Sequence, residues 1–393
     1  MKHASIIPLI GGETIAQMKA FDSRPEYLLS YKAFINNDSH LVNYLKDIPY
    51  YVLDDNTKHP YSVDVVNTVC PCAGLSSLST TSSSDSAIND WMTGTAKYVL
   101  EEIKPKVFWG ENSPRFASKL GAPIVEKLLA IAKVNGYTMS IYRTKSLLHG
   151  LSQVRERSFY FFWAGDKVPI FNYFETPYLK IEDFFKTIPT GLSQQDLTNT
   201  KTPSKDDFYY KFILEELEGG ISHSEFVSKL SRSTDVLDWI ESKSNYGVAK
   251  LWADKYGYSR MSRKTQAMSD KLASGGNIMR RMTYVPKDRI GAFVGHFPTS
   301  MTHTEEDRYL TVRECMSLMG LPNDFELLNP TKNLNHVCQN VPVSTAYDMA
   351  SEIKAVLEGK REMVSGNLIY QYNNSKTYET KDLEQTTLET FFN

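Results

Sequence analysis

Short apolar runs alternate with helix-like segments through the first 165 residues, a pattern that predicts a parallel sheet built from βαβ units. The candidate strands are Ser5 to Ile10, Tyr27 to Ala33, Tyr50 to Leu53, Asp64 to Val69, Val107 to Gly110, Thr138 to Arg143 and Ser158 to Trp163. A helix is expected where Leu120, Ile124, Leu128 and Ile131 recur at helical spacing, stopped by Asn135-Gly136. From about Phe171 to Thr304 the alternation is lost, Gly and Ser become frequent and charge segregates along the chain. That stretch reads as a second domain, residues 171–304, inserted between a first part, 1–170, and a return segment, 305–360. In the return segment Thr311-Val312-Arg313-Glu314 is a capping box that predicts a helix to Met319, ended by Gly320 with Pro322 beyond. A further helix is expected from Ser344 to Glu358. The tail, 361–393, is polar from Gly366 onward and is expected to bury little except its last residues.

Composition narrows the class. The chain has 393 residues, enough for two or three domains, with 41% hydrophobic and 23% charged residues. Forty-four Lys and Arg against forty-six Asp and Glu give a net charge of −2, so a polyanion would have to be held by a local basic surface. The second domain supplies one. Residues 241–290 hold eleven Lys or Arg against Glu241, Asp254, Asp270 and Asp288. Four cysteines, Cys70, Cys72, Cys315 and Cys338, make no disulfide framework and fit a reducing compartment, cytoplasm or nucleoid rather than secretion. No apolar run approaches a membrane span, and the apolar stretch Ile6 to Ile10 is too short for a signal peptide.

The segment Val69-Cys70-Pro71-Cys72-Ala73-Gly74-Leu75-Ser76 carries the first chemical signal. A strand runs there into a Pro-Cys turn and a Gly/Ser-rich loop, exposing a thiol at the sheet's carboxyl edge, where open α/β sheets bind ligands. Cys72 read this way is a nucleophile; read alone, it is equally a small buried residue. A metal at Cys70-x-Cys72 has no second pair of ligands to complete it, and none is expected.

Four more segments, in order, join this one in resembling the cytosine-C5 DNA methyltransferase family. They are Trp109-Gly110-Glu111-Asn112; Gly150-Leu151-Ser152-Gln153-Val154-Arg155-Glu156-Arg157; Arg308-Tyr309-Leu310-Thr311-Val312-Arg313-Glu314-Cys315 with Gly320-Leu321-Pro322; and Asn340-Val341-Pro342. The resemblance implies a Rossmann-like methyltransferase sheet with an inserted target-recognition domain, S-adenosyl-L-methionine as methyl donor and double-stranded DNA as substrate. Cytosine C5 becomes nucleophilic once a thiolate adds at C6, the role implied for Cys72, with Glu111 serving N3. Arg155 and Arg157 are assigned to the base pocket. Their spacing is read as sending them to opposite faces, one toward the base oxygen and one toward phosphate or the loop. The donor is expected at Ile7, Ile10, Gly11, Gly12, Asp54, Asp55, Pro71, Asn340 and Val341.

The chain departs from the family pattern on the donor side, where Ile7 replaces an adenine-stacking Phe, Leu9 a Gly, and Ala73 a Gln. After the second strand, where the family has an acidic residue, this chain has Ile35-Asn36-Asn37-Asp38 and no clear counterpart. A target base must be flipped out of the stack, a task suited to the small polar loop Ser76 to Ser86. DNA contacts are expected at Ser76, Ser79, Gln153, Arg280 and Arg281, with Tyr246, Trp252, Tyr256, Tyr258 and Tyr284 as stacking groups. The same chemistry on RNA, and a DNA-binding protein without donor, are the competing functions. Separately, Gln385, Leu388, Phe391 and Phe392 have the spacing of a sliding-clamp-binding peptide; the competing reading packs the two phenylalanines on their own domain.

Overall fold

The computed structural model describes residues 1–55, 61–71, 73–76, 83–191, 246–275, 288–295, 303–304, 310–375 and 378–381. All seven expected strands form, as β1 His3–Ile6, β2 Leu28–Ser30, β3 Tyr50–Val52, β4 Val65–Thr68, β5 Val107–Asn112, β6 Tyr137–Lys145 and β7 Glu156–Ala164. An eighth, β11 Leu368–Tyr372, completes one sheet in the order β11-β6-β7-β5-β4-β1-β2-β3. The order reverses between β1 and β4, the crevice where such sheets bind ligands.

Three details differ from the sequence reading. First, β7 runs antiparallel to both β5 and β6. The link from β6 to β7 spans ten residues with only a single short helical turn, Ser146–Leu148, too little for the crossover a parallel pair requires. Second, β1 stops at Ile6 because Ile7 and Leu9 enter the left-handed region, φ +52° and +49°, ahead of Gly11 at +96°. Third, the polar tail is part of the sheet. β11 pairs parallel with β6, its Leu368 and Ile369 pack on the core, and Asn373 is buried. Alternation of half-buried and exposed positions along β11 reflects an edge strand, which needs little apolar content.

The helices follow their patterns. Helix α4, Ala122–Val134, buries Ile124, Val125, Leu128 and Ala132 and is capped at Asn135 ahead of Gly136. Helix α1, Gly12–Phe21, covers one face of the sheet beside α10, Val343–Leu357. The Thr311 capping box is present in both directions and starts α8, Val312–Ser317. Core contacts extend past residue 170, since Phe171, Leu179, Ile181, Phe184, Phe185 and Ile188 join the main apolar cluster. Within the basic stretch, α6 Tyr246–Lys255 and α7 Ser259–Ala273 pack as a hairpin. Trp252, expected to stack on a base, is buried against Tyr256 and Tyr258 instead, because the hairpin needs an apolar centre of its own.

Candidate active site at the carboxyl edge of the sheet

Strands β4 and β5 lie side by side, with Thr68 in register with Gly110, so their carboxyl ends open onto one place. Beyond β4 the chain passes through Cys70 and Pro71. The Cys70 thiol is buried between Thr68 Oγ1 and the Trp91 carbonyl, and burial pushes its pKa up to about 11, which makes it inert. Cys72 lies outside the described residues. The segment after it is fastened at two points. Ser113 donates to the Leu75 carbonyl at 3.1 Å, and the Ser83 N–H donates to the Gly74 carbonyl at 2.9 Å. Asn89 completes this neck by donating to the carbonyls of Ser83 and Ser84.

On β5, Glu111 is buried and ion-paired with Arg157 of β7, their side chains 5% and 13% exposed. Cross-strand register sets this pair: Glu111 faces Phe159, and Arg157 follows two residues earlier on the same face. That alternation also corrects the reading of the two arginines, since residues two apart on a strand share a face. Arg155 parts from Arg157 because it lies outside β7. Its buried guanidinium donates to the carbonyls of Phe293 at 2.7 Å, Cys338 at 3.1 Å and Asn340 at 3.2 Å. Arg155 therefore ties Phe293 to Cys338 and Asn340 through its buried guanidinium. Gln153, expected to touch DNA, is likewise fully buried: it donates to the Leu318 carbonyl and accepts from the Phe293 N–H. A buried amide must satisfy its polar atoms inside the fold, and these two contacts do so.

At the end of β1, Ile7, Leu9 and Ile10 are buried, and Leu9 takes up the left-handed conformation a glycine would adopt freely. The Leu9 N–H is held by the Asp38 carboxylate at 2.9 Å, which also accepts from Tyr50 Oη at 2.9 Å. Burial raises the Asp38 pKa to about 7, outweighing these hydrogen bonds. Gly12 donates to Asn340 Oδ1 at 2.8 Å, and a Cβ there would stand 2.1 Å from the Val341 carbonyl oxygen. Gly12 is thus pressed against Asn340 and Val341, while Gly11 packs against the Leu41 side chain. Asp54, at the end of β3, is exposed and accepts the Lys32 N–H, while Asp55 follows it in a short helical turn.

Of the expected DNA contacts, Ser76 is half-buried at the neck, whereas Ser79, Arg280 and Arg281 lie outside the described residues, as do Tyr284 and Gln385 to Phe392. Arg260, Arg263, Lys264 and Lys271 on α7 are exposed. Sequence reasoning assigned no role to two buried acids, Asp38 and Glu13. A signal existed for Glu13, an acid directly after two glycines at the start of a helix, and for Asp38 in its position after the second strand.

The model of C-5 cytosine-specific DNA methylases matches residues 36–355. The Type II methyltransferase M.FnuDI of Fusobacterium nucleatum is 24% identical over 267 residues, covering 67% of this chain and 69% of that protein. DNA (cytosine-5)-methyltransferase 1A of Oryza sativa subsp. japonica is 25% identical over 358 residues, 78% of this chain but only 23% of the rice protein. Among solved structures, a DNA modification methyltransferase encoded within an E. coli prophage superposes with a TM-score of 0.57 at 14% identity, covering 91% of this chain and 99% of that one. The Entamoeba histolytica methyltransferase EhMeth gives 0.55 at 10% identity, with 91% and 98% covered. These two likenesses bear on the fold, which they share with the eight-stranded sheet described above. With its family model matched over most of its length and a buried acid-arginine pair at the sheet's carboxyl edge, the chain belongs to the C-5 cytosine-specific DNA methylase family.

Proposed function

We propose that this protein is a DNA (cytosine-5-)-methyltransferase that adds Cys72 to C6 of a flipped cytosine and methylates C5, with S-adenosyl-L-methionine as donor. The observation that carries the reading is the buried Glu111–Arg157 pair beside the Pro71 turn. A carboxyl at this depth is poised to exchange a proton with the base nitrogen N3, and its guanidinium partner can turn to the base oxygen. Cys72 supplies the sulfur nucleophile, and the chain just beyond it is tied down where the Ser83 N–H donates to the Gly74 carbonyl and Asn89 donates to the Ser83 carbonyl.

The donor-side residues fit the donor. Helix α1 has no side-chain cap, which suits a carboxylate at its N-terminus, and Asp54 keeps an exposed carboxylate at the end of β3 for the adenine ring of the donor. When bound, the donor supplies an electrophilic methyl group. Ile7, Ile10, Gly11, Gly12, Asn340 and Val341 shape the wall that orients it, with Pro71 and Asp55 at its rim. Arg155 and Gln153 are placed in this reading as positioning residues. The exposed cations of α7, with Arg280 and Arg281, form the DNA-facing part of a target-recognition domain at 171–304, between catalytic segments 1–170 and 305–360.

No helix among the described residues is long and apolar enough to cross a membrane, and we place the enzyme with the DNA of the cytoplasm or nucleoid. The tail's Gln385, Leu388, Phe391 and Phe392 remain our candidate clamp-binding peptide on their spacing alone. The deciding experiment incubates the protein with DNA containing 5-fluorocytosine and S-adenosyl-L-methionine. A covalent adduct is expected for the wild type and for Cys70→Ser, and none for Cys72→Ser. An adduct with the Cys72 variant would overturn the assignment. A matched RNA duplex should give no adduct, and calorimetry with the donor alone should show binding.

A further inference from the structure

The turn after β1 is gripped from two sides. The Leu9 N–H donates to the Asp38 carboxylate at 2.9 Å, and the Gly12 N–H donates to Asn340 Oδ1 at 2.8 Å. Between them the Gly11 N–H closes the turn on the Pro8 carbonyl at 3.0 Å. Asp38 belongs to α2, Ile35–Tyr44, and Asn340 caps the C-terminus of α9, Pro330–Gln339. The two acceptors are far apart in sequence, so their separation in space depends on how α2 and α9 are joined.

One face of α2 makes that join. Asn37, His40 and Tyr44 recur at helical spacing, and each bonds to the return segment. Asn37 Nδ2 donates to Gln339 Oε1 at 3.0 Å, His40 Nε2 lies 2.9 Å from His336 Nδ1, and Tyr44 Oη donates to Asp324 at 3.1 Å. The outer two bonds are exposed, whereas His40 is fully buried and its Nδ1 accepts the Leu328 N–H at 3.1 Å. A backbone N–H can only donate, which fixes every proton in the chain. His40 Nδ1 must be bare, so its Nε2 carries the hydrogen and donates to His336 Nδ1, which is bare as well. Both rings are therefore neutral, and a proton added to either one sets two donors face to face. Burial, with His336 adding to it, lowers the pKa of His40 to about 4, and burial lowers that of His336. The ionisable groups around the pair are Asp38 and Tyr44 on α2, Asp324 and Glu326 before Leu328, Lys332 on α9, and Lys19 of α1 near Asp324. Asp38 is bonded to Leu9 and Tyr50, Asp324 to Tyr44, and none of these groups bonds to either ring among the described residues.

We propose that His40 and His336 are positioning residues for the turn after β1: their hydrogen bond sets the distance between Asp38 and Asn340, and so the backbone path of residues 9–12. The consequence for catalysis rests on the donor reading given above. A turn already held in shape needs no ordering when the donor arrives, so the link strengthens donor binding without touching the reacting atoms. Because both rings must stay neutral, the link is whole above the ordinary histidine pKa of about 6.5 and is lost as pH falls toward 4.

The test compares the full chain with His336→Leu, which removes the acceptor, and His336→Asn, whose Oδ1 stands in for Nδ1 and never titrates. Without donor or DNA, hydrogen exchange should show the Leu9 and Gly12 amides losing about five- to tenfold more protection than the Val66 amide of β4 in His336→Leu, and recovering it in His336→Asn. Calorimetry at pH 7.5 should show a loss of S-adenosyl-L-methionine affinity of the same size in His336→Leu, appearing in turnover as a raised donor KM rather than a lowered kcat. Between pH 7.5 and 4.5 the donor affinity of wild type should fall relative to that of His336→Asn; Asp38 and the donor's own titrations are common to both and cancel in the ratio. Uniform loss of protection, wild-type donor affinity in His336→Leu, or a ratio that does not move with pH would overturn the proposal. A wild type that binds no donor, while its Leu9 and Gly12 amides respond as expected, would refute the proposed function and leave the imidazole link standing.

Discussion

The two sides of the sheet's carboxyl edge treat their sequence differently. At the ends of β4 and β5 the family's side chains are kept, and Glu111 and Arg157 meet as a buried ion pair. At the end of β1 the side chains depart from the pattern the resemblance implies, and the chain turns there through left-handed residues. Leu9 stands in a left-handed conformation at a position where glycine is usual, held by Asp38, and Gly12 remains pressed against Asn340 and Val341. Proton transfer needs particular functional groups, whereas a donor-binding turn needs a backbone path. A path can be kept by new hydrogen bonds after its usual residues are lost.

Five substitutions probe that contrast. Glu111→Gln should lower methyl transfer by about 10² to 10⁴-fold while leaving the affinity for DNA nearly unchanged, as read by single-turnover kinetics and filter binding. A loss of DNA affinity instead would place Glu111 among the DNA contacts. Arg155→Met should strip three buried carbonyls of their donor and cost about 3 to 4 kcal/mol in urea unfolding. An effect on turnover at unchanged stability would return Arg155 to the base pocket.

Asp38 tests the donor turn through pH. Its folded pKa, raised to about 7, lies above that of an unfolded aspartate, so the native state binds the extra proton. Its contribution is therefore fully present below about pH 4 and is lost as pH rises through 7, by about 4 kcal/mol. Asp38→Asn keeps an acceptor for the Leu9 N–H and should flatten the stability profile between pH 4 and 7; an unchanged slope would mean that other groups carry it. The smallest effect is expected at Leu9 itself. Leu9→Gly relieves about 1 to 2 kcal/mol of left-handed strain and forfeits a similar amount of apolar burial, for a net change within about 1 kcal/mol. Ile10→Gly, with no strain to relieve, should cost about 3 kcal/mol. Equal losses at the two sites would show that the turn carries no strain at Leu9.

Much of this architecture could be read along the chain, because strand alternation, helical spacing and capping chemistry are local. The seven strands, α4 with its Asn135-Gly136 stop, and the Thr311 capping box all came from short-range pattern. So did the order of motifs that led us to expect Glu111, Arg155 and Arg157 in one site. What the sequence could not decide were matters of long-range pairing. The antiparallel course of β7, the docking of β11 on β6 and the burial of Gln153 and Arg155 against residues more than a hundred positions away depend on which surfaces meet. Glu13 belongs to the same class: next to two glycines it is merely an acid in a helix's first turn. Only the closure of α1 over β4 and β5 removes its water and brings Glu111 within electrostatic reach, and desolvation is a property of the assembled fold rather than of any segment.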